Sequence, residues 1–454
     1  MRGDKSPFAL VKRGFTVQAD FPARIMRPFP CLLAALALQF AAAAETPARW
    51  WKGNLHTHSL WSDGDDYPEM IADWYKAHGY QFLALSDHNI IADHERWVAI
   101  AKTKGGEQAF AKYATRFGEK WVETRPVETG KEVRLKMLSE FRTLFEEPGC
   151  FLMVASEEIS DRFLTAPIHI NVSNIREVIK PQGGTSIVDV MRNNLNAVIT
   201  QRSRTGVPMI AHINHPNFGW ALTAEELDEV EQDRFFEVYN GHPIVHNEGG
   251  VAGTSTGGGS NAVRASTERI WDIVLTKRVD SGRPIVFGTA TDDAHNYHST
   301  PTPEKQSRTG RGWVMVRAEK LDAASLVTAM EAGDFYASTG VTLSDVRHDA
   351  RGISIAIEPQ PGVTYRTEFI GTRKGWDTKS KPVPGDRGET LRTTRRYSKD
   401  VGLVLATAEG VDVRYEFKDD ELYVRACITS SKKKEGVASP DEMERAWTQP
   451  VVRK

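Results

Sequence analysis

The residues best suited to chemistry lie in two short stretches, Asn54-Leu55-His56-Thr57-His58-Ser59 followed by Ser62-Asp63-Gly64, and Leu85-Ser86-Asp87-His88-Asn89. Each closes an apolar run and then turns to imidazoles and carboxylates. In an extended segment residues i and i+2 share a face, so His56 and His58 present two imidazoles together, a ready pair of metal ligands. Similar groups recur at Ser156-Glu157-Glu158, His169, His212, His215-Pro216 and Asp292-Asp293-Ala294-His295. Of 13 histidines all but His348 fall between His56 and His298, a concentration that scattered surface residues do not give. A single histidine here is most simply a solvated or satisfied side chain, because His fills many roles. His56, His58, Asp63, His88, Glu158, His169, His215, Asp293 and His295 taken together are not. Nine ligands exceed the four of an ordinary zinc site and suit two or three divalent ions bridged by a carboxylate. Ligation by nitrogen and oxygen alone fits Zn, Mn or Fe. On the residues alone, Glu157 competes with Glu158 and His212 with His215.

The elements that position these groups alternate strand and helix. Strands are expected from Trp50 into His56, and over Gln81–Ser86, Phe151–Ala155, Ile168–Val172, Val207–Ile213, Phe235–Tyr239 and Pro284–Gly288. Helices are expected after Pro68, around Asp93–Ala101, over Lys131–Phe145 within a polar insertion at 103–147, over Ile187–Arg204 and around Glu268–Lys277. Nearly every strand ends in His, Asp, Glu or Asn. In a parallel α/β barrel the strand C-termini converge on one face, where active sites are built. Seven such units predict a distorted seven-stranded, TIM-like (β/α)7 barrel over residues 45–340. After about Thr342 short alternating segments separated by Gly, Pro and charge predict an all-β domain over 341–454, of sandwich type. Its end, Trp447-Thr448-Gln449-Pro450, is placed to fold back on the barrel. The Gly/Ser/Thr-rich residues 249–260 lack a phosphate-loop motif and read as a flexible loop.

The bulk composition narrows the partners. A net charge of -2 with 26% charged residues gives no basis for nucleic-acid or anionic-membrane binding. Cys31, Cys150 and Cys427 form no C-x-x-C pair, so no disulfide framework or thiolate metal site is expected, and Cys150 and Cys427 read as partly buried thiols. Residues 1–44 read as an N-terminal extension and signal peptide. Met26-Arg27 precedes the apolar run Cys31–Ala44, which ends in Ala42-Ala43-Ala44 before Glu45. The run is shorter than the ~20 residues of a membrane span. Export to the periplasm or beyond is expected, with a signal at about 26–44 and a start at Met1 or Met26, and no stable membrane insertion.

His56-x-His58, Ser86-Asp87-His88-Asn89, a Glu at the third strand end, His215-Pro216 and Asp293-Ala294-His295 together resemble the polymerase and histidinol phosphatase (PHP) superfamily over roughly residues 50–300. The β domain and its Trp-Thr-Gln-Pro end are similar to an exported subgroup that includes carbamate-ester hydrolases. The resemblance implies a trinuclear metal centre. It assigns His56, His58, Glu158 and Asp293 to one ion, Glu158, His169 and His215 to a second, and Asp63, His88 and His295 to a third. It selects Glu158 over Glu157 and His215 over His212. Asp63 stands where some members carry His, a change toward a harder ligand. Asp87 is expected to orient an imidazole from behind, Asp292 to be structural, and His212 to be a candidate general acid. The implied activity is hydrolysis of a phosphate ester by hydroxide generated at the metals, with a carbamate or carboxylic ester as the alternative electrophile and a non-catalytic binding protein as a third reading. The substrate is a small-molecule ester.

Overall fold

The computed structural model describes residues 48–452 except 129, 253–259 and 438. The chain divides into two units, 1–45 and 46–454, and the second is described below. The expected signal segment and most of the Gly/Ser/Thr-rich stretch lie outside the described residues.

Seven strands surround the strand ends singled out above: β1 (Arg49–Asn54), β2 (Phe82–Leu85), β3 (Leu152–Phe163), β4 (Ala166–Ser173), β5 (Ile210–Ile213), β6 (Phe235–Asn240) and β7 (Phe287–Thr291). They pair in chain order, each with the next. The first and last meet just beyond their ends. Thr57 and Ala294 form a parallel bridge, with His58 N–H donating to Ala294 O (2.9 Å) and Asp293 N–H to His56 O (3.0 Å). The metal-ligand candidates of β1 and β7 therefore lie on the seam that joins the two.

The sheet is largely but not wholly parallel. β1–β2–β3 and β5–β6–β7 pair in parallel, while β4 runs antiparallel to both β3 and β5. The cause is the connection. Only Leu164 and Thr165 separate β3 from β4, and a two-residue loop makes a hairpin, because a parallel return needs a crossover of a dozen residues or more. Consequently β3 extends well past Ala155 and His169 enters the site from the first half of its strand, not from a C-terminus.

Helices pack outside these strands with ordinary end signals. Helix Pro68–Ala77 has Pro in its first turn. Helix Ile187–Thr205 begins at Ser186, whose hydroxyl accepts from Asp189 N–H, and stops at Gly206 in the left-handed region. Ser266 caps helix Thr267–Asp280 in the same way. The first half of the helix expected over 131–145 is instead a strand, Gly130–Leu135. It pairs with Arg96–Ala99 and Thr124–Val127 in a small antiparallel sheet, burying Val133 and Leu135 at a two-residue period. The helix is Leu138–Phe145. The same sheet replaces the helix expected around Asp93–Ala101, since Trp97 and Val98 pair with Arg134 and Val133.

Beyond β1 the main sheet continues through Trp313–Ala318, Phe335–Ser338, Met443–Thr448, Glu421–Lys433, Tyr365–Arg373 and Leu403–Glu409, all antiparallel. A three-stranded sheet, Leu343–His348, Gly352–Ile357 and Asp412–Glu416, shares a core with it through Leu343, Ile355, Phe369, Val413 and Ala426. The C-terminal end does fold back. Gln449 accepts from Gly288 N–H and donates to Gly288 O, both at 2.9 Å, and Trp447 joins the same buried cluster as Trp271 and Leu275. Cys427 is buried, but Cys150 is exposed.

Candidate metal centre

The structure draws the nine sequence-selected groups together. His56 and His58 leave β1 fully buried, with their Nε2 atoms 3.1 Å apart. Asp293 Oδ1 lies 3.2 Å from His56 Nε2 and 3.3 Å from His58 Nε2. Glu158 approaches from β3, with Oε1 3.4 Å from His56 Nε2 and Oε2 3.5 Å from His58 Nε2. Glu158 also lies between the two remaining groups of ligands. His169 Nδ1 is 3.1 Å and His215 Nε2 3.6 Å from Oε1, and His88 Nδ1 is 2.7 Å from Oε2. On the other side Asp63 Oδ1 faces His295 Nε2 (3.2 Å), His88 Nε2 (3.5 Å) and His58 Nδ1 (3.7 Å). Alternation along β3 separates the two glutamates. Glu158 points to the imidazoles, whereas Glu157 accepts from Ile179 N–H (2.6 Å) on the opposite side.

The donor set fits divalent cations. Glu158 Oε2, His169 Nδ1 and Asp63 Oδ1 are buried and make no hydrogen bond despite these short separations. Closely spaced nitrogen and oxygen donors left without a proton between them are the arrangement that a shared cation satisfies. Burial alone would raise the carboxyls of Glu158 and Asp293, but the surrounding imidazoles hold both far below the usual range. Burial and the neighbouring His295 and His88 lower His58 to about 3, a neutral imidazole free to ligate. Burial opposes charge on His88 too, yet Glu158 and Asp63 raise it to about 9. Such opposed shifts within one cluster mark groups brought closer than protons alone can satisfy. Two of the residues, His215 (φ 24°) and Asp293 (φ 49°), lie in the left-handed backbone region, as does Asn89 (φ 53°) beside His88. Non-glycine residues adopt it where the surroundings enforce it, commonly at functional sites.

Glu237, within β6, is a site residue that the motifs do not mark. Its carboxylate accepts from Thr291 Oγ1 (2.6 Å), His215 N–H (2.8 Å) and Asn240 Nδ2 (2.8 Å), and lies 2.7 Å from His56 Nδ1. It thus fixes the His56 ring from behind, leaving Nε2 for the centre. A lone carboxylate in the apolar run Phe235-Phe236-Glu237-Val238-Tyr239 was its signal. Asn214 plays a similar part, donating to Glu158 Oε1 at 2.6 Å.

Two expectations change. Asp87 orients no imidazole. It accepts from Ser59 N–H, Ser59 Oγ and Ser62 Oγ (2.8, 2.7 and 2.6 Å), so it shapes the loop that carries Asp63. His212 is buried behind Glu237, its Nε2 3.4 Å from that carboxylate, and cannot reach a substrate as a general acid. His242 packs edge-on against His295 with ring centres 5.6 Å apart. Burial lowers it to about 4. Asp292 is structural as expected, accepting from Tyr75 Oη and the Gly310, Arg311 and Gly312 amides.

In these residues the chain resembles the PHP superfamily. No protein-family model and no curated protein matches it. Among solved structures it is similar to a two-domain protein from Bacteroides vulgatus ATCC 8482, described as containing a predicted PHP-like metal-dependent phosphoesterase. Identity is 14%, the match covers 88% of this chain and 95% of the other, and the TM-score is 0.37. It is also similar to a protein from Bifidobacterium adolescentis ATCC 15703 described as a candidate metal-dependent phosphoesterase, at 11% identity over 55% of this chain and 89% of that one, with a TM-score of 0.26.

Proposed function

We propose that the chain is an exported metal-dependent hydrolase of the PHP type that cleaves a small-molecule phosphate ester. The observation that carries this is the convergence of nine buried or half-buried ligand groups, with unpartnered atoms on Glu158 and His169 in one part of the cluster and on Asp63, beside His58, His88 and His295, in another. His56, His58, Glu158 and Asp293 form the first ligand set, Glu158 with His169 and His215 the second, and Asp63, His88 and His295 the third. Two or three ions of Zn, Mn or Fe type, when bound, supply Lewis acidity and lower the pKa of water to ~7. The chain's own part is orientation. Glu237 holds His56, Asn214 holds Glu158, Asn240 holds Asp293 Oδ2 (3.1 Å), and the Asp87 serines hold the Asp63 loop. No protein nucleophile is needed. We read the joined ring of β1–β7 as a distorted seven-stranded barrel and the two C-terminal sheets as a sandwich.

One observation favours a carbamate or carboxylic ester as a second reading. The Phe218 ring lies against His215 (5.0 Å) and His169 (6.4 Å), giving the site an apolar wall suited to an aromatic group. Assay of the metal-loaded chain, expressed from Glu45, on nitrophenyl phosphate mono- and diesters beside a naphthyl carbamate and a naphthyl ester separates the two. Phosphate turnover abolished by Glu158→Ala supports the first reading, and turnover of carbonyl substrates alone supports the second.

A further inference from the structure

His242 belongs to none of the metal-ligand clusters among the described residues, yet it borders the centre. Its ring meets His295 edge-on at 5.6 Å and Phe218 at 6.4 Å. The backbone fixes it, since its N–H donates to Asn240 Oδ1 (2.8 Å). Its Nδ1 accepts from Ile244 N–H (3.4 Å). An imidazole that accepts at Nδ1 carries its proton on Nε2, so it is a hydrogen-bond donor there. Among the described residues no hydrogen bond engages that Nε2–H.

His242 also lines a cavity of about 240 Å³ between the loop after β6 and Val437, Ser439 and Glu442 of the C-terminal region. Asn240 lines it too, and donates to Asp293 Oδ2, so the cavity and the metal centre share a wall. The other polar lining groups are Tyr239, His246, Asn247, Glu248, Ser439 and Glu442, and Glu248 accepts from Arg445 (2.8 Å). Glu442 is already engaged by Tyr239 Oη (2.7 Å), and Asn247 is bonded to the Asn240 backbone (3.1 and 2.8 Å). The lining mixes these groups with apolar Pro243, Val245 and Val437 and holds no Lys or Arg for an anionic guest. Whole-ligand pockets run roughly 300–1,000 Å³, so this one suits part of a substrate.

We infer that this cavity receives a neutral, hydroxyl-bearing leaving alcohol and that His242 Nε2–H donates to the alcohol oxygen as the bond to the hydrolysed centre breaks. This rests on the phosphoesterase reading and adds where the leaving group goes. As the P–O bond breaks its electron pair moves onto the leaving oxygen; His242 Nε2–H steadies that charge by a hydrogen bond and keeps its own proton, while the proton that completes the alcohol comes from the water consumed in the hydrolysis. It also gives the C-terminal region a share in substrate selection through Val437 and Ser439.

The test uses the metal-loaded chain with methyl phosphate, glycerol phosphate and p-nitrophenyl phosphate. In His242→Ala, kcat/KM falls on the order of 10²-fold further for the two alkyl esters than for the nitrophenyl ester, whose leaving group needs no donor. Bound metal per chain stays as in the wild type. Val437→Trp, which fills the cavity, raises KM for glycerol phosphate about tenfold over that for methyl phosphate. An equal loss on all three esters, loss of metal from His242→Ala, or an unselective Val437→Trp would overturn the inference while leaving the phosphoesterase reading in place. A loaded wild type that turns over none of the esters would overturn both.

Discussion

At the scale of single residues, the site is an argument about lone pairs. His56-x-His58 was legible at once because a two-residue period puts both rings on one face. The same period separated Glu158 from Glu157 once the strand was known. Glu237 was not legible, because a carboxylate in an apolar strand reads as an edge position until His56, 181 residues away in sequence, is seen 2.7 Å from it. Its role is testable. Glu237→Ala leaves the His56 ring without its rear partner, and affinity for the first metal falls roughly 10–100-fold in competition with a chelator. Asp87 was misjudged for a related reason. Adjacency to His88 suggested an imidazole partner, whereas its side chain turns to Ser59 and Ser62.

At the scale of elements, strand existence was legible from apolar runs and strand direction was not. The antiparallel β4 follows from the two-residue loop at Leu164-Thr165, a count that outweighs any expectation of a repeated strand–helix unit. The insertion was misread because Val133, Met137, Leu138 and Phe141 satisfy helical spacing, while the pairing that decides, Arg96–Ala99 with Gly130–Leu135, is distant in sequence. Packing beneath β6 carries a pH signature. Asp233, just before β6, is fully buried with Oδ2 unpartnered. Burial outweighs the nearby Arg278 and raises it to about 7 from 3.8. The folded state therefore holds a proton that the unfolded chain releases, and stability falls as pH rises from 3.8 to about 7. Asp233→Asn removes that penalty. Its denaturation midpoint exceeds the wild type's at pH 8, and the two converge near pH 4.

At the scale of the whole molecule, the change of character near Thr342 was legible, but continuity was not. One sheet runs from β7 through β1 and on to Leu403–Glu409, and one buried cluster joins Trp271 and Leu275 to Ile370, Tyr423 and Trp447. Arg425, itself buried, is bidentate to Asp272 of helix Thr267–Asp280 at 2.8 and 2.9 Å. Removing either half leaves a buried charge unpaired. A chain ending at residue 340 is therefore expected to lack a cooperative thermal transition, which calorimetry detects; a sharp transition in that fragment would show the ring to be self-sufficient.

A multinuclear metal centre bridged by Glu158 is what the converging ligand groups are proposed to form. The most direct measurement is elemental analysis of the purified chain after loading with Zn or Mn and removal of free ion. Two to three ions are expected per wild-type chain, with a loss of at least one ion in Glu158→Ala and the fold retained by circular dichroism. A folded wild type that retains no metal, or a Glu158→Ala chain that retains the full complement, would contradict it.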